Sequence, residues 1–339
     1  MMDFALPHDY RLRAYRGLDD LAVMLPMLRE QRARASDDEF ATLDQMTQTY
    51  TRLVNCDPAT DIAIIETNDG VPAGYLRALW EATEGDARVL FLLVVTTDAH
   101  HQNDLVAASV TGLETHMRPW AATDRDIFRS SAAHPGRGIS PTSSGDFVDA
   151  AVFEQLGYTA AHFEASLVRP HLDDIPERAL PFGVDVRVVT DDQLRTIFDA
   201  HWEASRGDWD FREATEDDWL NLRDDPLRDS SLWKIAWVGD NVVGQVKSFV
   251  NTEENERWSR NRGYTESISV HAGWRNQGIA GTLLAHSLAL LRDRGYTEAA
   301  LGVDTDNPGG AFHLYTSLGF ELRQFTAIYE KPVPGGSES

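Results

Sequence analysis

The sequence predicts an α/β protein built from two similar domains. Its 339 residues are enough for two domains of ordinary size, each with its own core. Short apolar alternating runs, which favour strands, are followed by segments with helical periodicity. Most of these segments occur twice and in the same order. Such self-similarity indicates that one structural unit has been duplicated.

The repeated segments can be followed along the chain in pairs. A strand that leads into a helix is predicted at 10–21 and again at 184–194, and a hairpin with a turn of Asp, Asn and Gly is predicted at 62–75 and again at 234–245. An aromatic residue followed by Leu, Gly and a second aromatic residue closes each half, at 153–158 and at 315–320. We therefore predict a first domain over residues 1–170 and a second over 184–333. The proline-rich stretch that starts at Pro170 predicts a linker over 171–183, and residues 334–339 are expected to be a disordered tail.

Composition excludes several classes of function. The formal net charge of −23 argues against nonspecific binding to nucleic acids or to anionic membranes, which requires a basic surface. No stretch is long and apolar enough to span a membrane, and the N-terminus lacks a secretory pattern. Cys56 is the only cysteine, so neither an intrachain disulfide nor a cysteine-rich metal site is expected, and no metal is predicted. A cytoplasmic protein fits these features best, and its oligomeric state stays open.

The most informative stretch spans residues 270–281, where a predicted strand becomes a predicted helix. Arg275 is followed at the third and fifth places by Gly278 and Ala280. Small residues let a phosphate approach the main chain, and the unpaired N–H groups of the first helical turn point at it. Neither the dinucleotide fingerprint nor the P-loop pattern occurs here. The stretch therefore predicts a backbone site for another phosphorylated ligand.

The spacing around this stretch resembles the acyl-CoA-binding motif of the GNAT superfamily of N-acetyltransferases, and further matches follow at the distances that this family shows: Asn307, Ala311, Tyr315 and 318–320. The resemblance covers nearly the whole chain, with specific motifs in the second half and topology alone in the first. It implies a tandem, two-domain GNAT protein, in layout similar to mycothiol synthase. Each domain is then expected to be an α/β (α+β) unit with a twisted mixed, mostly antiparallel sheet flanked by helices. Acyl-CoA would lie where two neighbouring strands splay apart.

The resemblance implies which residues bind the cofactor, acetyl-CoA. Main-chain groups of the strand residues Ile268 and Val270 would pair with the pantetheine arm. Asn307, before a later helix, would contact CoA or cap that helix. Main-chain groups of the turn after the strand would hold the pyrophosphate, and these belong to Arg275, Asn276, Gln277, Gly278, Ile279, Ala280 and Gly281.

Two residues are candidates for proton transfer. Tyr315 matches the family position whose hydroxyl approaches the sulfur of CoA, and a phenol is a proton donor at neutral pH. Glu266 is the nearest carboxylate before Val270, and it is either the base that takes the proton of the amine or a solvated strand residue. Some relatives carry the acidic base two residues earlier, where this chain has Tyr264, and a strand bulge could bring either residue into the site.

The first domain is predicted to be noncatalytic. If His101 takes the place of Arg275, Asp104 falls where Gly278 is needed, and a carboxylate there would repel a phosphate. Phe153 occupies the place of Tyr315 and has no proton to donate.

The predicted function is therefore direct attack of a small-molecule primary amine on acetyl-CoA in the second domain. Aromatic and acidic residues between Trp202 and Asp229 make a cationic acceptor one candidate, although they also suit a core and a solvated surface. Two alternatives stay open. One is a noncatalytic tandem GNAT protein that binds or senses CoA, and the other is an acyltransferase that uses another acyl-CoA or an alcohol acceptor.

Overall fold

The computed structural model describes residues 2–34, 40–83, 86–134, 148–209, 211–305 and 311–334. Asn307, Asp210 and residues 335–339 of the predicted tail lie outside these ranges. Within them the strands are β1 (Tyr10–Ala14), β2 (Ile62–Thr67), β3 (Pro72–Ala82), β4 (Arg88–Thr96), β5 (Ile127–His134), β6 (Thr159–Arg169), β7 (Asp185–Arg187), β8 (Lys234–Val238), β9 (Asn241–Phe249), β10 (Arg262–Val270), β11 (Glu298–Asp304) and β12 (Glu321–Pro332). The helices are α1 (Leu21–Arg34), α2 (Leu43–Thr51), α3 (Pro58–Asp61), α4 (Asn103–Met117), α5 (Val148–Gln155), α6 (Leu194–Ala204), α7 (Glu216–Arg223), α8 (Thr252–Trp258), α9 (Ile279–Asp293) and α10 (Ala311–Ser317).

The chain divides into two compact units. Unit 1 comprises Met1–Glu164 and Gln324–Ser339, and unit 2 comprises Ala165–Arg323. Strands in unit 1 run in the order β1-β2-β3-β4-β5-β12, and unit 2 has the order β11-β10-β9-β8-β7 together with the second half of β6. The pairs β4–β5 and β10–β11 are parallel, whereas the hairpin pairs are antiparallel. Each unit is thus the mixed, mostly antiparallel α/β arrangement that the sequence predicts.

The last strand of the chain belongs to unit 1. β12 pairs antiparallel with β5 over eight residues, from Phe325 opposite His134 to Pro332 opposite Ile127. Glu330 also accepts a hydrogen bond from the guanidinium of Arg129 at 2.7 Å. The predicted boundaries at 170 and 333 followed chain order, whereas the units change at 164 and 324. Chain order does not indicate which sheet a terminal strand joins, because that depends on long-range ladder hydrogen bonds.

The two halves repeat in structural detail. α5 is followed by Gly157 with φ +86°, and α10 by Gly319 with φ +82°. In each half the residue after this glycine donates its backbone N–H to a carbonyl five residues earlier. Tyr158 donates to Phe153 at 2.9 Å, and Phe320 donates to Tyr315 at 3.1 Å. This is the same left-handed helix cap at two places. The repeat read from 153–158 and 315–320 is therefore reproduced in backbone geometry.

Packing of α9 on the sheet of unit 2 fixes where that helix starts. Ile279 and Leu283 are buried and lie against Gly244 of β9, where an added Cβ would come within 2.7 Å of the Ile279 side chain. A glycine in the strand therefore allows the first turn of α9 to approach the sheet closely. α6 packs with the β8 residues Ile235 and Trp237 through Leu194 and Ile197.

Within the described ranges, no helix has both the length and the apolar character required to cross a membrane.

Candidate active site

The strands β10 and β11 separate in unit 2. They pair only from Arg262 to Tyr264 of β10, opposite 298–300 of β11. Beyond that point β10 has a bulge between Glu266 and Ser269, and Ser267 adopts a positive φ of 49°. Bulges bend a strand and increase its twist, so they are a physical cause of such a separation. Ile268 and Val270 lie in this stretch and are half-buried.

The predicted anion cradle lies in the connection from β10 to α9. This connection spans residues 271–278, and Asn276 and Gly278 have φ of +60° and +81°. Gly278 caps α9, and no side chain caps the first turn of that helix. The first helical bond runs from Thr282 N–H to the carbonyl of Gly278 at 3.0 Å. The N–H groups at 279–281 consequently have no acceptor within the helix, and they are the groups that can bind a phosphate.

Arg275 holds the cradle in place. Its Nη2 donates to the carbonyl of Ala204 at 2.6 Å, and its Nε donates to the carbonyl of Val270 at 3.2 Å. The guanidinium therefore ties the loop to the end of α6 and to the end of β10. Asn276 and Gln277 are exposed on the same loop, and Gln277 donates to the carbonyl of Gly273 at 3.5 Å.

The sequence reasoning missed Arg178. Its guanidinium lies against the first turn of α9, where a Cβ on Gly281 would collide with it. Thr282 Oγ1 also donates to the carbonyl of Ala179 at 3.3 Å, so this part of the predicted linker packs on α9. In the described part of the chain no acidic side chain pairs with Arg178. A cation at the positive end of a helix favours the binding of an anion there. Arg178 could not be predicted from the motif, because it lies far from residues 270–281 in the sequence.

Tyr315 lies near Glu266, whose side chain spans the separated strands. Tyr315 is buried on α10, and burial, followed by the nearby Glu266 carboxylate, raises the pKa of its hydroxyl. Glu266 Oε1 accepts a hydrogen bond from the backbone N–H of Gly302 at 2.9 Å, across the gap between β10 and β11. The structure thus brings the two predicted proton-transfer residues together. The raised pKa keeps the Tyr315 hydroxyl protonated near neutral pH.

Tyr264, the alternative to Glu266, is placed differently. Its hydroxyl donates to Glu254 Oε1 at 2.8 Å, and its ring stacks on Phe249 with the centroids 4.9 Å apart. Burial raises the pKa of this hydroxyl. The bulge lies after Glu266 and not between the two residues, so Tyr264 remains part of the packing.

A buried polar cluster lies on the side of the sheet covered by α6, and the sequence reasoning did not find it. Ser269 Oγ accepts from Gln245 Nε2 at 3.1 Å and lies 3.1 Å from His201 Nδ1. Lys247 is opposite Glu266 in the β9–β10 pair and is only 6% exposed. Burial lowers the pKa of Lys247 to about 8. Burial, followed by the charge of Lys247, lowers the pKa of His201 to about 3. The available signal was the pair Gln245 and Lys247, which occupy alternate positions in β9 and so share one face of the strand.

Several of the acidic residues considered for a cationic acceptor are used in ion pairs within unit 2. Glu216 pairs with Arg195 at 3.0 Å, Glu213 with Arg206 at 2.7 Å and Asp218 with Arg212 at 2.7 Å. Among the tryptophans, Trp219 packs in the core beneath α6, whereas Trp209 is 42% exposed. Part of this segment is therefore a paired charged surface over a core.

Comparison with known proteins agrees with this geometry. Residues 194–320 match the model of the acetyltransferase (GNAT) family. The mycothiol acetyltransferase of Salinispora arenicola is 30% identical over 232 residues, which cover 65% of this chain and 73% of that protein. This chain belongs to the GNAT family. The mycothiol acetyltransferase of Rhodococcus jostii is 31% identical over 193 residues, covering 53% of this chain and 60% of that one.

Solved structures of the GNAT family share the fold. A GCN5-related N-acetyltransferase from Sphaerobacter thermophilus superposes with a TM-score of 0.71 at 19% identity, covering 99% of each chain. A tandem GNAT protein from the clavulanic acid biosynthesis pathway superposes with a TM-score of 0.67 at 12% identity, covering 97% of this chain and 100% of that one. The chain is therefore a tandem GNAT N-acetyltransferase, and its acetyl donor is acetyl-CoA.

The connection of unit 1 that corresponds to the predicted cradle is shorter. It runs from β4 to α4 and spans 97–102, six residues against the eight of 271–278. Alignment on the helix starts places Gln102, with φ −130°, at the position of Gly278. Asp104 then matches Ala280, not Gly278 as the sequence alignment suggested, because the shorter loop shifts the register by two residues. An acidic side chain still enters the first turn of α4, and no left-handed cap precedes it.

The gap between β4 and β5 of unit 1 is a cavity of about 260 Å³. Phe153 lines it at the position of Tyr315, and its ring stacks on Tyr329 with centroids 5.5 Å apart. Asp149 also lines it, where unit 2 has Ala311, and burial raises the pKa of its carboxyl. Unit 1 therefore keeps the separated strands but has different side chains in the gap.

Proposed function

We propose that unit 2 transfers the acetyl group of acetyl-CoA to the primary amine of a small molecule by direct attack. The observation that carries this proposal is the position of Tyr315 and Glu266 at the same strand separation, immediately before the cradle. Binding groups, a proton acceptor and a proton donor are thereby assembled in one unit.

The cradle would hold the pyrophosphate of the donor. The N–H groups at 279–281 have no acceptor within the first turn of α9, and no side chain caps that turn. Arg178 and the helix terminus supply positive charge in a protein whose overall charge is negative. The bulged part of β10, including Ile268 and Val270, has no β11 neighbour in the described structure and so offers its backbone to the pantetheine arm.

Proton transfer follows from the two side chains. The donor supplies an electrophilic thioester carbonyl. Glu266 accepts a proton from the attacking nitrogen as the new C–N bond forms. Tyr315 gives its proton to the departing sulfur as the C–S bond breaks, and the raised pKa of its hydroxyl keeps that proton available. The products are an N-acetyl amide and the free thiol of CoA.

Noncatalytic status of unit 1 is part of the proposal. Its loop is two residues shorter, Asp104 enters the first turn of α4, and Phe153 has no hydroxyl. Support for a small-molecule amine as the acceptor comes from the curated relatives, which are named mycothiol acetyltransferases.

Thiol release from acetyl-CoA, measured against a panel of small amines with mass spectrometry of the products, tests the proposal. We expect N-acetylated amine and one free thiol per product, both abolished in a Tyr315→Phe, Glu266→Gln double variant. Tight acetyl-CoA binding without amine-dependent release would contradict it and favour a CoA-binding protein. Products from alcohols only, or release only with longer acyl-CoAs, would also overturn it.

A further inference from the structure

We propose that Lys247 binds an anionic group of the acceptor, so that the acceptor is an amine that also carries a carboxylate. This inference rests on the proposed function, because it concerns the acceptor side of the same site.

Lys247 is a buried cation that has no counter-ion among the residues the structure describes. Only 6% of the residue is exposed, and in the described part of the chain no carboxylate pairs with its ammonium group. The nearest aromatic ring is that of Trp233, whose centroid lies 5.7 Å from Nζ. Its pKa of about 8 still leaves most of the side chain protonated at neutral pH. A buried unpaired charge is costly, and an anionic ligand removes that cost.

Gln245 provides a second, independent indication of a ligand. It is 1% exposed and lies two residues from Lys247 on the same face of β9. Its Nε2 donates to Ser269, whereas its Oε1 is buried without a hydrogen-bond partner among the described residues. Buried acceptors are nearly always satisfied. A ligand N–H, such as that of the acceptor amine, would satisfy this oxygen.

The positions of Lys247 and Gln245 relative to Glu266 indicate where the amine and the carboxylate of the acceptor would lie. Lys247 is directly opposite Glu266 across the β9–β10 pair, so the two side chains leave the sheet on the same face. Gln245 is opposite Ser269, one step further along the bulged strand. If Glu266 deprotonates the nitrogen of the amine, the atoms next to that nitrogen lie beside Lys247. A carboxylate that is only a few bonds from the amine, as in an amino acid, would then reach Lys247.

Three of the acidic residues considered for a cationic acceptor do not argue against an anion. Glu213, Glu216 and Asp218 are each paired with an arginine of unit 2. His201 faces Lys247 from α6 and is neutral above its pKa of about 3. Lys247 is thus the unpaired charge among these groups.

The kinetic test uses matched acceptors, each an amine with a carboxylate and its carboxamide analogue. For the native protein we expect kcat/KM at least tenfold higher for the carboxylates. Lys247→Met should remove this preference by lowering the carboxylate rates far more than the carboxamide rates, and Lys247→Arg should keep a large part of it. Equal rates for both members of every pair in the native protein, or an undiminished preference in Lys247→Met, would overturn the inference while leaving the acetyltransferase proposal intact.

A second readout does not require turnover. The chain has three lysines, Lys234, Lys247 and Lys331, so protein labelled with ¹³C at lysine Cε gives few signals, and Lys247→Met assigns one of them. We expect ω- or α-amino acid carboxylates to raise the titration midpoint of the Lys247 signal and to leave those of Lys234 and Lys331 in place. No shift with any carboxylate that serves as an acceptor would contradict the inference.

Discussion

Glu266 accepts a hydrogen bond from the backbone N–H of Gly302 at 2.9 Å, across the gap where β10 and β11 part. The same carboxylate is near enough to Tyr315 to raise the pKa of that hydroxyl further. One side chain therefore bridges the separated strands and acts electrostatically on the candidate proton donor. The bond also orients the carboxylate before any acceptor arrives, which is the preorganisation that general-base catalysis requires.

Tyr315→Phe removes one hydroxyl and leaves the ring that packs 6.2 Å from Phe320. We expect kcat to fall by about 10²–10⁴-fold, the usual contribution of a positioned proton donor. The dissociation constant of acetyl-CoA, measured by calorimetry, should be unchanged. Unchanged turnover in an assay that is competent for the native protein would remove Tyr315 from the mechanism.

Glu266→Gln tests the base and keeps an oxygen that can accept from Gly302. We expect kcat/KM to fall by about 10²-fold and the acidic limb of its pH profile to disappear. Glu266→Ala serves as the comparison because it also loses the hydrogen bond. If the Gln variant retains native rates and only the Ala variant is impaired, Glu266 positions β11 and does not take the proton.

Gly278→Asp should abolish acetyl-CoA binding, since a carboxylate at the helix cap repels phosphate. Gly278→Asn is the matched control, because both residues are similar in size and tolerate positive φ to a similar degree. We expect the Asp variant to bind at least about tenfold more weakly than the Asn variant, equivalent to 1.4 kcal/mol. Equal losses in calorimetry would indicate a steric effect and not a phosphate site.

Arg178→Gln should weaken acetyl-CoA binding by about fivefold to tenfold, and the loss should shrink as salt is added because the charge is partly exposed. Arg292→Gln, in the last turn of the same helix and paired there with Asp293 at 3.0 Å, is the control. Calorimetric affinities that respond equally to both substitutions would show that Arg178 does not act at the cradle.

Lys247→Met should stabilise the fold near neutral pH. Burial lowers the pKa of this lysine from 10.5 to about 8, a difference equivalent to about 3 kcal/mol. Protonation is disfavoured in the folded state, so the cost is fully present below pH 8 and disappears as the pH rises to 10.5. Urea unfolding of the native protein and the Lys247→Met variant at pH 7 and at pH 10 measures this difference in the free energy of unfolding. An equal gain in stability at both pH values would show that the buried charge of Lys247 is not its cause.

Several site features were readable from sequence because they are local. The cradle needs only a strand, a small-residue turn and a helix in succession, so Gly278 and Ala280 could be found from spacing. Tyr315 likewise follows from its distance to the Leu318–Phe320 turn. Asp104 shows the limit of this approach, because only the observed helix start revealed that the loop of unit 1 is two residues shorter than its counterpart.

The sequence by itself determined the duplicated α/β plan and the contrast between Tyr315 and Phe153, and it predicted the acyl-CoA cradle, since each can be read from short local patterns in the chain. Only the tertiary structure decided that β12 completes unit 1, that Arg178 lies on the first turn of α9 and that Lys247 is buried opposite Glu266. These relationships join segments far apart in the chain, and they depend on strand pairing and burial, which no local pattern encodes.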